Sequence, residues 1–207
     1  MSEAATLRAR PGRPSSGARD RLLDAGLEVM KADGYAGLTI AKVAARAGEN
    51  KALIAYHFGS KQGLVAAVAA ELGELITSAV VEAVGRRHTV EGIVRGALEG
   101  VWALMDSDER LARLYFDLGG VSVVEEDVRK VMRAERARWR SVLMDLLRDT
   151  DPRVPVRRIE PLAVLIGAGI EGLALERIQV GETAALGRAR ELFVVSMVGA
   201  AGTPASA

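Results

Sequence analysis

The sequence predicts an all-α protein of about nine helices, in which a small three-helix unit leads a larger helical bundle. Three observations carry this. Apolar residues make up 49% of the chain and aromatics only 4%, with Ala, Leu, Val and Arg dominant, a composition that favours helices over strands. Apolar residues recur at three-to-four spacing nearly throughout, and no segment alternates convincingly as a strand. Glycines and capping residues divide the 207 residues into pieces of helical length.

The elements follow in order. Residues 1–16, rich in Pro, Gly, Ser and Arg, read as a disordered basic arm. The first helix runs from about Ala18 to Asp33, with Leu22, Leu23, Leu27, Val29 and Met30 on its apolar side, and Gly34 stops it. Thr39 caps a second helix, Ile40 to Ala47, ended by Gly48. Asn50 caps a third, Lys51 to Phe58. Gly59 breaks the chain, and Ser60 caps a long fourth helix to Val84. Thr89 opens the fifth, apolar at Val90, Ile93, Val94, Ala97, Val101, Leu104 and Met105. The sixth spans Glu109 to Leu118. Ser122 is expected to cap the seventh, to Leu147. After the loop DTDPRVPV come an eighth helix, Arg157 to Val180, and a ninth from Thr183 to about Ala200. The expected domains are 17–64 and 65–201, with a frayed tail at 202–207.

The formal charge of +1 conceals an asymmetry. Residues 1–64 carry 10 Lys+Arg against 6 Asp+Glu, whereas the remainder carries 18 against 21. A basic first third points to a polyanionic partner for that part. There are no cysteines, so neither a disulfide framework nor a thiolate metal site arises. No uninterrupted apolar run reaches the roughly 18 residues of a membrane span, and the N-terminus has no secretory h-region. A cytoplasmic protein without membrane attachment is expected. No metal-ligand spacing, catalytic constellation or cofactor site is apparent, so the chain is not read as an enzyme. AVLIGAGIEG contains Gly167-x-Gly169-x-x-Gly172, the spacing of a dinucleotide fingerprint. That reading requires a βαβ unit, and the rest of the chain supplies no strands for one.

GENKALIAYHFGSK, residues 48–61, is the most informative stretch. Two short helices meet at a glycine-containing turn, and the first helix packs across them. This is the helix-turn-helix arrangement, whose second helix enters the DNA major groove. Leu53 and Ile54 would anchor that helix. Asn50 and Lys51 at its start would face bases and phosphates, and Tyr56 and His57 would contact phosphates or sugars. Lys61 opens the fourth helix, whose free N–H groups suit a phosphate. Arg8, Arg10 and Arg13 would reach from the arm into the minor groove.

These residues resemble the DNA-binding domain of the tetracycline-repressor (TetR) family. The stretch GLTIAKVAARAGENKALIAYHFGSKQGL matches its pattern at Thr39, Val43-Ala44, Ala47-Gly48, Asn50, His57-Phe58, Lys61 and Leu64. The likeness spans residues 18–66, about a quarter of the chain. Two positions depart from the pattern: Ala55 stands where a phosphate-contacting Tyr is usual, and Glu49 where an apolar residue is common. The resemblance implies a dimeric repressor of a palindromic operator in double-stranded DNA, released by a small-molecule effector. It also implies a helical ligand-binding and dimerisation domain behind the reader, with the last two helices forming the homodimer interface. Ile166, Gly169, Ile170, Leu173, Leu186, Phe193 and Met197 are the residues expected there. A mainly apolar effector pocket is expected among helices five to eight. Its candidates are residues too large or too polar for routine packing: Trp102, Met105, Tyr115, Phe116, Trp139 and Glu171. The carboxylate of Glu171 in an apolar helix calls for a partner: an Arg on helix seven, for example Arg136 or Arg140, or a cationic or hydroxylated ligand. An unrelated alternative is a small-molecule-binding or enzymatic helical domain carrying a vestigial reader.

Overall fold

A computed structural model describes residues 17–202. Arg8, Arg10 and Arg13, the arm 1–16 and the tail beyond Gly202 lie outside the described residues. Among these, nine helices succeed one another: α1 (Ala18–Gly37), α2 (Ile40–Ala47), α3 (Ala52–Phe58), α4 (Lys61–Val84), α5 (Val90–Ser107), α6 (Glu109–Val124), α7 (Glu126–Arg148), α8 (Val156–Val180) and α9 (Ala184–Gly202).

Short polar side chains start the helices where the sequence expects them. The hydroxyls of Thr39, Ser60, Thr89 and Thr183 accept from the backbone N–H of Lys42, Gly63, Gly92 and Leu186, at 3.0–3.2 Å. Asn50 Oδ1 accepts from Ala52 N at 2.9 Å. Each satisfies a donor that the helix leaves open. Gly34, Gly48 and Gly59 have φ of 69°, 66° and 75°, a left-handed conformation that side chains disfavour, so all three turns of the reader are glycine turns. Gly34 kinks α1, and a last short turn carries it on to Gly37.

The junction of α6 and α7 differs from expectation. Helix α6 continues through Gly119 and Gly120 to Val124, and α7 starts at Glu126. Ser122 caps nothing: its hydroxyl donates to the Gly119 carbonyl, within α6. The end of α6 is closed from the next helix, because Arg129 donates to the carbonyls of Ser122 and Val123.

Two apolar cores share the bundle. One joins α1, α2 and α3 to the first half of α4, to Leu111, Leu114 and Leu118 of α6 and to Val128 and Met132 of α7. The other joins the second half of α4 to α5, the end of α7, α8 and α9. Helix α4 therefore crosses the expected 64/65 boundary unbroken. It is long and apolar enough, by length and composition, to cross a membrane. Here Leu64, Val68, Leu72, Val80 and Val84 are buried in the two cores instead.

The dinucleotide-like glycines lie in the middle of α8, with no strand beside them among the described residues. A Cβ on Gly169 would stand 2.2 Å from Phe193 Cε2, so this glycine lets the ring of α9 pack onto α8 inside one protomer.

Candidate nucleic-acid interface and its linked cavity

Helix α3 is seven residues long and turns Ile54 into the core. Its opposite side exposes Lys51, Ala52, Ala55 and Tyr56, with Tyr56 70% exposed. Positions i, i+1, i+4 and i+5 form one helical face, and this face has one long cation, one phenol and two methyl groups. Ala52 was not singled out in the sequence, and Ala55 was noted only as a missing tyrosine. Both lie beside the phenol of Tyr56, where small side chains let a helix approach base edges and thymine methyls.

The remaining reader residues also make contacts within the head. Thr39 and Asn50 cap α2 and α3. His57 is half-buried, its ring edge-on to Tyr56, and its buried Nε2 has no hydrogen-bond partner. Lys61 Nζ lies 5.4 Å from the Tyr35 ring centroid. Glu49 does not confront DNA as a bare carboxylate: Arg21 of α1 donates to it through Nε at 3.0 Å and also through Nη2.

Helix α6 holds the reader to the bundle at three points. Tyr35 N donates to Asp117 at 2.6 Å, and Tyr35 Oη to Glu125 at 2.5 Å. The hydrogen bond to Glu125 pushes the Tyr35 phenol up to about 12. Lys31, whose side chain is 8% exposed, pairs with Asp108 at 2.6 Å and with Glu28 at 2.5 Å. Hydrogen bonds from Arg110 first, and then from Lys31, hold Asp108 well below the usual carboxylate range, against the opposing effect of burial.

The other side of α6 walls a cavity. Its lining comes from α4, α5, α6, α7 and α8, and it offers about 80 Å³ to the centre of a water-sized sphere. Met105, Tyr115, Phe116, Trp139 and Glu171 meet there, five of the six residues picked out for a pocket. Glu171 accepts from Tyr115 Oη at 2.6 Å and pairs with Arg136 at 2.8 Å, whereas Arg140 faces Glu160. Burial, and then the Glu171 charge, push the Tyr115 phenol far above its ordinary value. Glu135, which the sequence reading passed over, also lines the cavity.

Trp102 is a correction: it lies away from this cavity. Its indole N–H donates to Glu182 at 2.9 Å, and the guanidiniums of Arg177 and Arg190 lie 5.6 and 4.8 Å from its ring centroid. These contacts tie α5 to α8, to α9 and to the turn between them.

The expected dimer residues are also redistributed. Ile166, Ile170, Leu186 and Met197 are buried in the protomer's own core, and Gly169 is filled by Phe193. Leu173 and Phe193 pack against the same core. Between the ends of α8, where Val156 and Val180 are exposed, and along α9, the apolar side chains left exposed are Val164, Leu165, Leu192, Val195 and Val198.

A short reading helix on a three-helix head, bolted to a bundle with an internal cavity, defines a ligand-binding helix-turn-helix regulator. Residues 22–68 match the family described as bacterial regulatory proteins, tetR family, and residues 91–194 match the BetI-type transcriptional repressor C-terminal family. The chain belongs to the TetR family of transcriptional regulators. No match is found among curated protein sequences. Solved structures share the fold at low identity. A proposed TetR-family transcriptional regulator from Rhodococcus sp. superposes with a TM-score of 0.75 at 21% identity, covering 91% of this chain and 100% of that one. The transcriptional regulator FadR from Bacillus subtilis, in complex with stearoyl-CoA, gives 0.69 at 15%, covering 87% and 98%. The multidrug binding protein EbrR, complexed with imidazole, gives 0.68 at 20%, covering 93% and 99%.

Proposed function

We propose that the protein is a repressor that binds a palindromic operator as a homodimer and is released when a small molecule occupies the cavity. One observation carries the reading: α6 is both a wall of the cavity, through Ala112, Tyr115 and Phe116, and the element that grips the reader at Lys31 and Tyr35. A ligand that shifts α6 must move α1, and with α1 the packing of α2 and α3. The ligand binds the two head positions unequally, which is what a population shift requires.

In this reading residues 17–64 are the reading head and 65–201 the ligand-binding and dimerisation body. Lys51 and Tyr56 contact the operator with the methyls of Ala52 and Ala55 between them. His57 and Lys61 face the phosphate backbone, and Arg8, Arg10 and Arg13 follow the minor groove. The partner protomer covers Val164, Leu165, Leu192, Val195 and Val198, since an apolar patch of this kind marks an association surface. Two heads related by a two-fold axis then meet half-sites separated by one or more helical turns.

Selection from random duplex DNA on the purified full chain tests this. The expected result is one enriched sequence with two-fold symmetry, bound by two copies of the chain. Enrichment of a single asymmetric half-site, or none at low salt, refutes the dimeric repressor.

A further inference from the structure

The cavity contains two carboxylates with different fates. Glu171 is satisfied, by the Tyr115 hydroxyl at 2.6 Å and by Arg136 at 2.8 Å. Glu135 is not. Its Oε2 is closed off from solvent and has no hydrogen-bond partner. Its Oε1 comes within 3.9 Å of Arg138, too long for a hydrogen bond. Arg138 is itself half-exposed and also faces Glu74, at 3.6 Å.

A buried acceptor without a donor is costly. The structure makes room for this one. A Cβ on Gly73 would stand 2.4 Å from Glu135 Oε2, so the glycine of α4 is what admits the carboxylate. Glu135 lines the cavity, so a donor on a ligand held there can reach its carboxylate. The charges on the wall are Glu135, Glu171 and Arg136. Since Arg136 pairs with Glu171, Glu135 is left on the wall with only Arg138, 3.9 Å away, to offset its charge. Around it are the rings of Tyr115, Phe116 and Trp139, a lining that suits a flat apolar body and, where a ring presents its face, a cation.

We propose that the cavity takes a lipophilic cation carrying N–H donors, an amine or amidine on an apolar skeleton, with Glu135 as its anionic anchor. This rests on the cavity being the effector site. The orphan oxygen gains its donor, the excess charge is neutralised, and the apolar skeleton fills the space between α5, α6 and α8. Anionic ligands of the same shape are excluded by Glu135, and neutral ones leave it unsatisfied.

Three molecules with one hydrocarbon frame test this: 1-naphthylmethylamine, 1-naphthalenemethanol and 1-naphthoic acid. Their affinities for the full chain are measured by calorimetry at pH 7, followed by those for Glu135→Gln. The amine is expected to bind at least about tenfold more tightly than the alcohol, the lower end for a hydrogen bond to a charged group, and the acid more weakly than both. Glu135→Gln is expected to abolish that preference while keeping the alcohol's affinity. Equal binding of all three to the wild-type chain overturns the inference and leaves the cavity as a ligand site. A preference that persists in Glu135→Gln removes Glu135 as the anchor. Binding of none of the three overturns the inference and counts against the cavity reading itself. The wild-type comparison decides even if the variant fails to fold.

Discussion

Gly63 is the third residue of α4, and nothing in its sequence neighbourhood marks it as special. In the structure a Cβ at this position would stand 1.8 Å from the carbonyl oxygen of Phe58, the last residue of the reading helix. Real Cβ atoms essentially never approach closer than 3.0 Å, so Gly63→Ala forces the two backbones apart by about 1.2 Å, the difference between those distances. In an unobstructed helix the same change stabilises by about 1 kcal/mol. Here the turn at Gly59 and Ser60 must absorb the shift, and both the Ser60 cap on Gly63 N and the seating of Ile54 lie within it. Overpacking of this kind costs roughly 1–3 kcal/mol beyond the lost propensity gain, and more where backbone is the obstacle. The net expectation is a loss of about 1–3 kcal/mol. Gly119 is the matched control: it is helical, in α6, and its Cβ would meet nothing within 4 Å. Gly119→Ala should therefore gain about 0.5–1 kcal/mol. Urea denaturation of both full-length variants, compared at unchanged slope, measures the difference. A Gly63→Ala midpoint equal to or above that of the wild type would refute the packing argument at the α3–α4 corner.

Other consequences concern the joints. Lys31→Met removes the cation shared by Asp108 and Glu28, leaving Asp108 to Arg110 alone, and should cost about 1.5–3 kcal/mol, read as a lower urea midpoint. Asp108 is held below its unfolded value, so its contribution is complete above about pH 4, the unfolded value, and is lost as pH falls towards the folded one. Stability measured from pH 5 to pH 2 should fall, less steeply in Asp108→Asn. Tyr35→Phe removes the hydroxyl bonded to Glu125 and should cost about 1 kcal/mol. In the wild-type chain the ultraviolet titration of one tyrosine should be displaced to about 12. Leu192→Asp with Val195→Asp places charge on the exposed face of α9 and should yield a folded monomer in sedimentation. A dimer that survives the double change puts the interface elsewhere.

Much of this architecture is legible in the residues themselves, where local chemistry decides. Thr39, Asn50, Ser60, Thr89 and Thr183 cap the helices they precede, because a short acceptor beside free N–H groups acts within one turn of chain. The α6–α7 junction is not legible. Gly119 and Gly120 have helical backbone in open surroundings, and the closure comes from Arg129 in the next helix. The apolar content of α8 and α9 does not say which of their side chains the protomer covers itself. Ile166 and Leu186 face inward, Leu165 and Leu192 outward, and their sequence settings are alike. Large or polar residues within apolar helices led to five side chains of the cavity. Glu135 was missed because it stands in RAERARWR, a run that reads as a solvated face. Only the approach of Gly73, from a helix sixty residues earlier, makes its carboxylate an interior group.

The central claim is that the exposed face of α3 reads operator DNA from a two-fold dimer. Its most direct test is the affinity of the full chain, by fluorescence anisotropy, for the palindromic duplex recovered by selection, compared with that of the Lys51→Ala, Tyr56→Phe double variant at several salt concentrations. Each protomer loses one cation and one hydroxyl contact, at about 1–3 kcal/mol for each contact. The account predicts at least a hundredfold weaker binding, with a shallower dependence on salt. Equal affinity and equal salt dependence in the variant would contradict it and place the DNA contact on another surface.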